Sequence, residues 1–274
     1  MLMQCLLACL RRIYQLTLVI SAVALLCAGA VAQPVPVGIP GSWTLVFQDE
    51  FSGTALNKAV WGDNWLGCNG CITKPVNSAE LGAYDPKQVA VSDGYLRLTA
   101  IRSPVTVNGK TYQYRSGLIN SARTRSRAGK EFTSGVFEAR IWMTTVAASS
   151  VPFNWGAWWL NGHHNDWPDR GENDIMENLS GGPAWHYHAP NVNTGRTPAM
   201  PSKYGWHIYT AEWSSNPRRI RWYYDGKLAG TLTSGVLSYP QYMILNYAIS
   251  TQHGGPISVP LTMSVDYVRV WKAS

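Results

Sequence analysis

Three carboxylates crowd one short run of this chain. From Trp167 to Glu177 the sequence reads Trp-Pro-Asp-Arg-Gly-Glu-Asn-Asp-Ile-Met-Glu, so Glu172, Asp174 and Glu177 fall within six residues of a chain that holds only 16 acids. The apolar residues interleaved with them suggest a strand rather than a solvated run of charge. On a strand, Glu172 and Asp174 share a face and stand about 7 Å apart. Glu177 is an odd number of steps from Glu172, which turns it to the opposite face. One extra residue in a β-bulge restores it to the same side, and bulges recur beside active sites. A bulge is therefore expected at Ile175-Met176. Like charges gathered this closely raise at least one pKa. One ionised carboxylate beside one protonated carboxyl is what cleavage of a glycosidic bond requires. An acidic strand end or a calcium site fits the same spacing, and spacing alone leaves these readings open.

The elements that must position these acids read as short strands. Trp43–Phe47 is one, and Val89–Ala100 is a hairpin folded at Ser92-Asp93-Gly94. Gly135–Met143, His207–Trp213, Arg219–Tyr224, Met243–Ala248 and Ser264–Trp271 are β-rich, and Asp225-Gly226 after Tyr224 signals a tight hairpin turn. No long stretch carries helical periodicity. Many short strands divided by turn residues argue an all-β sandwich.

Composition agrees. The chain has 274 residues, of which 14% are charged, 25 are Gly and 16 Pro. That is too little charge for a disordered or coiled-coil protein. There are 13 Trp and 14 Tyr against 5 Phe, and rings with a polar handle suit partly wet aromatic surfaces as well as a core. Residues 1–32 read as a secretory signal peptide: Arg11 and Arg12, an apolar run from Ile13 to Ala28, then Ala30-Val31-Ala32 as a small-x-small cleavage pattern. An uncleaved anchor is the alternative. No other stretch approaches membrane-spanning length, so no membrane contact is expected once the leader is removed. Its loss takes two Arg from the net charge of +7, leaving +5, and removes Cys5, Cys9 and Cys27. Cys68 and Cys71 then remain, and in an exported chain they are expected to form a small structural disulfide. Residues 33–41 read as a Pro-rich linker and 42–274 as one domain. Arg123, Arg125 and Arg127 share a face if extended, as a solvated strand edge or a subsite for an acidic polysaccharide. No nucleic-acid-binding motif is present.

Glu-x-Asp-x-x-Glu in this framing resembles the signature of family-16 glycoside hydrolases, the laminarinase and lichenase group. Phe47–Gly53, Ser92–Ala100, Ser116–Ser121, Gly135–Arg140, Trp155–Leu160, Ala211–Trp213, Tyr224–Gly226, Ile244–Asn246 and Asp266–Val270 are similar to further family segments, in the same order. The resemblance implies a β-jelly roll of two curved antiparallel sheets with a concave substrate cleft. It implies a secreted, retaining endo-glycosidase for β-1,3 or mixed-linkage glucan, with galactan hydrolases, transglycosylases and non-catalytic sugar-binding jelly rolls as alternatives. Glu172 would be the nucleophile, Glu177 the general acid/base, and Asp174 the residue that tunes them. The residue Met176 is similar to the laminarinase branch. Asn173 and Gly156 depart from the family pattern; Asn173 would point to the layer behind the cleft and need partners there, and Gly156 reads as backbone tolerance.

Further roles are read from residue chemistry and from the resemblance together. Trp159 and Trp167 are expected as sugar-stacking platforms, with Trp158, of opposite parity, in the core. His186 would hydrogen-bond sugar or a catalytic carboxylate, and Glu212 and Asn246 match positions near the cleft. His186 with His188, or His163 with His164, could bind a metal, but a zinc hydrolase needs a third ligand and the sequence offers none at sensible spacing. Relatives hold a structural Ca²⁺, for which Glu50, Gly94 and Asp266 match the ligand places. No cofactor is expected for catalysis, the partner is a polysaccharide, and the protein is expected to be a monomer.

Overall fold

The computed structural model describes residues 33–145, 147, 150–163 and 167–274. The expected signal peptide and His164 lie outside the described residues. Residues 35–274 form one compact unit. Its strands, in chain order, are β1 (Trp43–Asp49), β2 (Gly82–Tyr84), β3 (Val89–Ser92), β4 (Tyr95–Val107), β5 (Lys110–Ser116), β6 (Leu118–Asn120), β7 (Glu131–Phe132), β8 (Gly135–Met143) and β9 (Trp155–Gly162). They continue with β10 (Glu172–Leu179), β11 (Gly182–Ala189), β12 (Val192–Arg196), β13 (Trp206–Ser215), β14 (Arg218–Tyr224), β15 (Lys227–Leu232), β16 (Gln241–Ala248) and β17 (Leu261–Ala273). Among the described residues the helical content is one 3-10 turn, Pro86–Gln88, and no helix is long and apolar enough to cross a membrane.

Two sheets result. One runs β15-β14-β13-β8-β17-β4-β5-β2, with β1 beside β17 and β3 beside β4; the other runs β12-β11-β10-β9-β16-β6, with β7 beside β16. The pairings are antiparallel except β2 with β5, which is parallel, a departure from the purely antiparallel expectation. This is the β-jelly-roll sandwich.

The core lies between the sheets, and strand parity decides who enters it. Phe137, Ala139 and Ile141 of β8, Ala211 and Trp213 of β13, and Val268 and Val270 of β17 meet Trp158 and Leu160 of β9, Trp185 and Tyr187 of β11, and Met243 and Leu245 of β16. Trp185 and Trp222, one from each sheet, stack with ring centroids 4.2 Å apart and planes 12° apart. The alternate residues of β9 and β16 face the other way, where Ala157, Trp159, Tyr242 and Ile244 pack with Tyr84, Leu118, Trp65 and Val76 in a second apolar cluster. The segment 64–80 therefore roofs one end of the outer face of this sheet.

Hairpin turns fall where two residues with positive φ are available. Asp93-Gly94 joins β3 to β4 and Asp225-Gly226 joins β14 to β15. Asn108-Gly109 does the same between β4 and β5. The hairpin was expected to end at Ala100; β4 instead runs on to Val107 because the strongest short turn signal lies beyond it. The segment read as a linker is docked: Ile39 is buried beside Val136, Tyr223 and Trp271, and the Val37 amide donates to Glu138 Oε2 at 2.9 Å.

Candidate active site

The site is built on β10 and its two neighbours. On the β9 side Glu172 lies opposite Asn161 and Glu177 opposite Ala157, a span of four positions; on the β11 side the partners are His188 and Ala184, again four. The chain uses five steps to cover those four positions. The register slips between Asp174 and Glu177, so the expected bulge is present. Its form explains its cost: Ile175 and Met176 are consecutive yet both wholly buried in the core. Two side chains go inward, and Glu177 returns to the face of Glu172 and Asp174. All three acids line one cleft with Trp155, Trp159, Trp167, His188 and Asn246.

Each carboxylate has its own partners. Glu177 Oε1 accepts from the indole nitrogen of Trp155 at 3.1 Å, and its Oε2 lies 2.9 Å from His186 Nδ1, a close contact without hydrogen-bond alignment. Glu172 accepts from Trp167. His188 Nε2 stands 3.5 Å from Asp174 Oδ2 and 3.9 Å from Glu172 Oε1. Gly195 of β12 lies under His186, and a Cβ there would fall 1.8 Å from the imidazole; only glycine leaves that ring its place.

Burial, then the charge of Glu177, pushes the Glu172 carboxyl up to about 8, against the hydrogen bond from Trp167. Burial raises Asp174 well above the usual range, with Glu177 and Glu172 adding to the effect. Burial lowers His188. The Glu172 and Asp174 carboxyls titrate together. Burial and mutual repulsion thus hold protons on this cluster at neutral pH, and Asp174 is its most buried member at 4% exposure.

The supporting residues divide. Trp167 is 59% exposed and its ring is 5.7 Å from that of His188, so its face is open to a ligand. Trp159 lines the cleft but is buried, with Trp65 stacked on it at 6.0 Å and 22°; one face of the expected platform is already taken. Trp158 is in the core as expected. Asn246 is in the cleft, where its Oδ1 accepts from Trp159 Nε1 and its Nδ2 donates to the Tyr84 hydroxyl, both at 2.8 Å. Tyr84 in turn donates to Glu80 Oε2 at 2.5 Å. Sequence reasoning missed this relay and the roof residues Trp65 and Glu80, which come from an irregular segment without period. It also missed Trp155, which parity could have found: residues 155, 157 and 159 share one face of β9.

Other expectations are corrected. Glu212 does not reach the cleft. Its neighbours Ala211 and Trp213 face the core, so Glu212 points out of the opposite sheet, where Arg219 and Arg221 pair with it. Of the residues expected to hold calcium, Glu50 has both oxygens gripped by Arg269 at 2.8 Å and Asp266 is held by Arg140 at 2.6 Å, while Gly94 lies in the β3–β4 turn. Arg123, Arg125 and Arg127 lie in an irregular segment, not on a strand. Arg127 turns inward onto Ala122 O and Asn120 Oδ1. Gly156 is not mere tolerance: a Cβ there would meet Met143 Sδ at 2.7 Å and Met263 Sδ at 3.0 Å. Asn173 faces the core, and its Oδ1 accepts from Trp222 Nε1 of the other sheet at 2.8 Å. Cys68 and Cys71 form the expected disulfide.

No family model matches the chain. Among curated proteins it is 28% identical over 291 residues to the glucan endo-1,3-beta-glucosidase A1 of Niallia circulans, covering 89% of this chain and 40% of that protein. It is 26% identical over 265 residues to a beta-glucanase of Rhodothermus marinus, covering 84% and 85%. The chain thus spans about two fifths of the first relative's length and most of the second's. Among solved structures, the endo-beta-1,3-glucanase from Pyrococcus furiosus superposes with a TM-score of 0.69 at 27% identity, covering 87% of this chain and 98% of that one. In sequence and in fold this chain is laminarinase-like, and it resembles the family-16 glycoside hydrolases.

Proposed function

We propose that the protein is a secreted, monomeric, retaining endo-β-glucanase that cuts β-1,3 or mixed-linkage glucan. The observation that carries this reading is the bulged β10, which sets Glu172, Asp174 and Glu177 in one cleft of a chain similar to endo-glucanases. In the first step Glu172 attacks the anomeric carbon while Glu177 gives its proton to the departing glycosidic oxygen, leaving a glycosyl ester on Glu172. In the second, Glu177 takes a proton from water, the water oxygen displaces Glu172, and the free sugar leaves with its starting configuration. A proton on Asp174 keeps negative charge off the middle of the cluster, and the attack is made by the ionised form of Glu172. Trp155 holds one oxygen of Glu177 by a hydrogen bond, and His186 stands close against the other. Trp167 offers its open face to the C–H face of a pyranose. The reaction needs no cofactor.

The test is a panel of laminarin, lichenan, agarose and carrageenan with product sizing. Mid-length oligosaccharides from laminarin or lichenan support the proposal; release from the galactans alone moves the specificity, and release from none refutes it. The first-formed anomer, read by NMR, should be β, and Glu177→Gln should lower kcat roughly a thousandfold. Secretion is tested separately, by whether the mature protein in the medium begins at Gln33.

A further inference from the structure

We propose that the cleft is also a binding site for a borderline transition-metal dication, Zn²⁺ foremost, held by Glu172, Asp174 and His188 Nε2, and that the bound ion blocks the cleft. The metal site stands on geometry alone; the block rests on the glucanase reading.

Two carboxylates and one imidazole offer three ligand atoms that all lie within 4.8 Å of one another. A tetrahedral zinc ion with bonds of about 2.0–2.1 Å wants its ligand atoms roughly 3.3–3.4 Å apart. His188 Nε2 is already 3.5 Å from Asp174 Oδ2 and 3.9 Å from Glu172 Oε1. Small rotations about side-chain bonds therefore complete the set without moving backbone.

A second observation points to a ligand. The Asp174 side chain is 5% exposed, faces the cleft, and its Oδ2 has no hydrogen-bond partner. A buried acceptor left unpaired is costly, and a cation between it and His188 supplies what it lacks. The strands fix the ligands as well. Glu172 and His188 are direct partners across β10 and β11, and His188 is hydrogen-bonded to Asn193 of β12, the outer-shell contact that orients a metal-binding imidazole. One nitrogen with two oxygens suits zinc or copper, whereas calcium and magnesium favour oxygen alone. Along the sequence His188 pairs with His186 and no third ligand is evident, because the carboxylates of β10 come beside His188 only across the sheet. With Glu172 bound to the ion, its lone pairs are lost to the anomeric carbon, and the ion's remaining position opens into the cleft.

Equilibrium dialysis of the untagged, EDTA-stripped chain against ZnCl₂ tests the site. One zinc per chain is expected, with a raised melting midpoint. His188→Ala and Asp174→Asn should each weaken binding by at least about tenfold, while His163→Ala leaves it unchanged. If His188→Ala does not fold, by its own melting curve, Asp174→Asn carries the test. No binding up to about 1 mM, a weak affinity on any scale, overturns the site. So does binding indifferent to both variants or lost with His163→Ala. Where laminarin is hydrolysed, zinc should inhibit competitively with the dialysis constant, reversed by EDTA. Zinc bound without inhibition overturns the block, and zinc bound by a chain inactive on every glucan upholds the site while refuting the glucanase.

Discussion

Deleting Met176 should leave the enzyme working and make it less stable. The bulge spends five steps on four register positions, counted against β9 and against β11 alike. With Met176 gone, Ile175 alone stands between Asp174 and Glu177, the strand alternates regularly, and all three acids keep the cleft face. The neighbouring strands need not shift. What is lost is one wholly buried methionine side chain, a change worth about 2–5 kcal/mol in cores. For a chain of this size that is roughly 4–20 °C in melting midpoint. An added Ala between Met176 and Glu177 does the reverse, turning Glu177 into the core face, and should cut activity at least about a hundredfold. The assay is reducing-end release from laminarin, run below the melting midpoint of every variant as read by circular dichroism. A folded deletion variant with less than a hundredth of the parent activity, or an insertion variant that still cuts, refutes the account of the bulge.

Three further outcomes are expected. Burial pushes Glu80 up to about 7 from a usual 4.5. Between those values the folded chain holds a proton that the unfolded chain has lost, so stability falls as pH rises through that window, by about 1.4 kcal/mol per unit; Glu80→Gln should remove this slope from melting midpoints taken at pH 4.5–7, and parallel curves would contradict it. Trp167→Ala should raise KM for laminarin roughly tenfold, about 1.4 kcal/mol of binding, with the melting midpoint unmoved because the ring is mostly exposed; an unchanged KM removes the platform. Calcium or EDTA should leave the melting midpoint where it is, since arginines already hold Glu50 and Asp266; a rise with calcium would show that those ion pairs yield to the ion.

What could be read from the residues was whatever period and parity control. β8 spans Gly135–Met143 as expected, because its alternation is long and unbroken. The bulge was legible because three acids of mixed parity make sense only if one residue is extruded. Glu212 was misplaced because an ordered set of motifs says which strand a residue is on and not which face it takes; the apolar Ala211 and Trp213 beside it held that answer. The partner of Asn173 could not be named, since Trp222 comes from the opposite sheet 49 positions away. Glu80 and Trp65 were invisible for a related reason: an irregular segment brings them to Trp159 and Asn246 through packing, with no repeat to mark it, and Tyr84 ends a strand of three residues, too short to show alternation.

The stacked indoles of Trp185 and Trp222 join one sheet to the other. Rings that close exchange excitation, and the coupling within this pair survives only while both layers stay in register. The protein therefore carries a built-in optical gauge of sandwich closure, readable with no sugar present, by which any variant of the cleft can be certified as folded before its activity is judged.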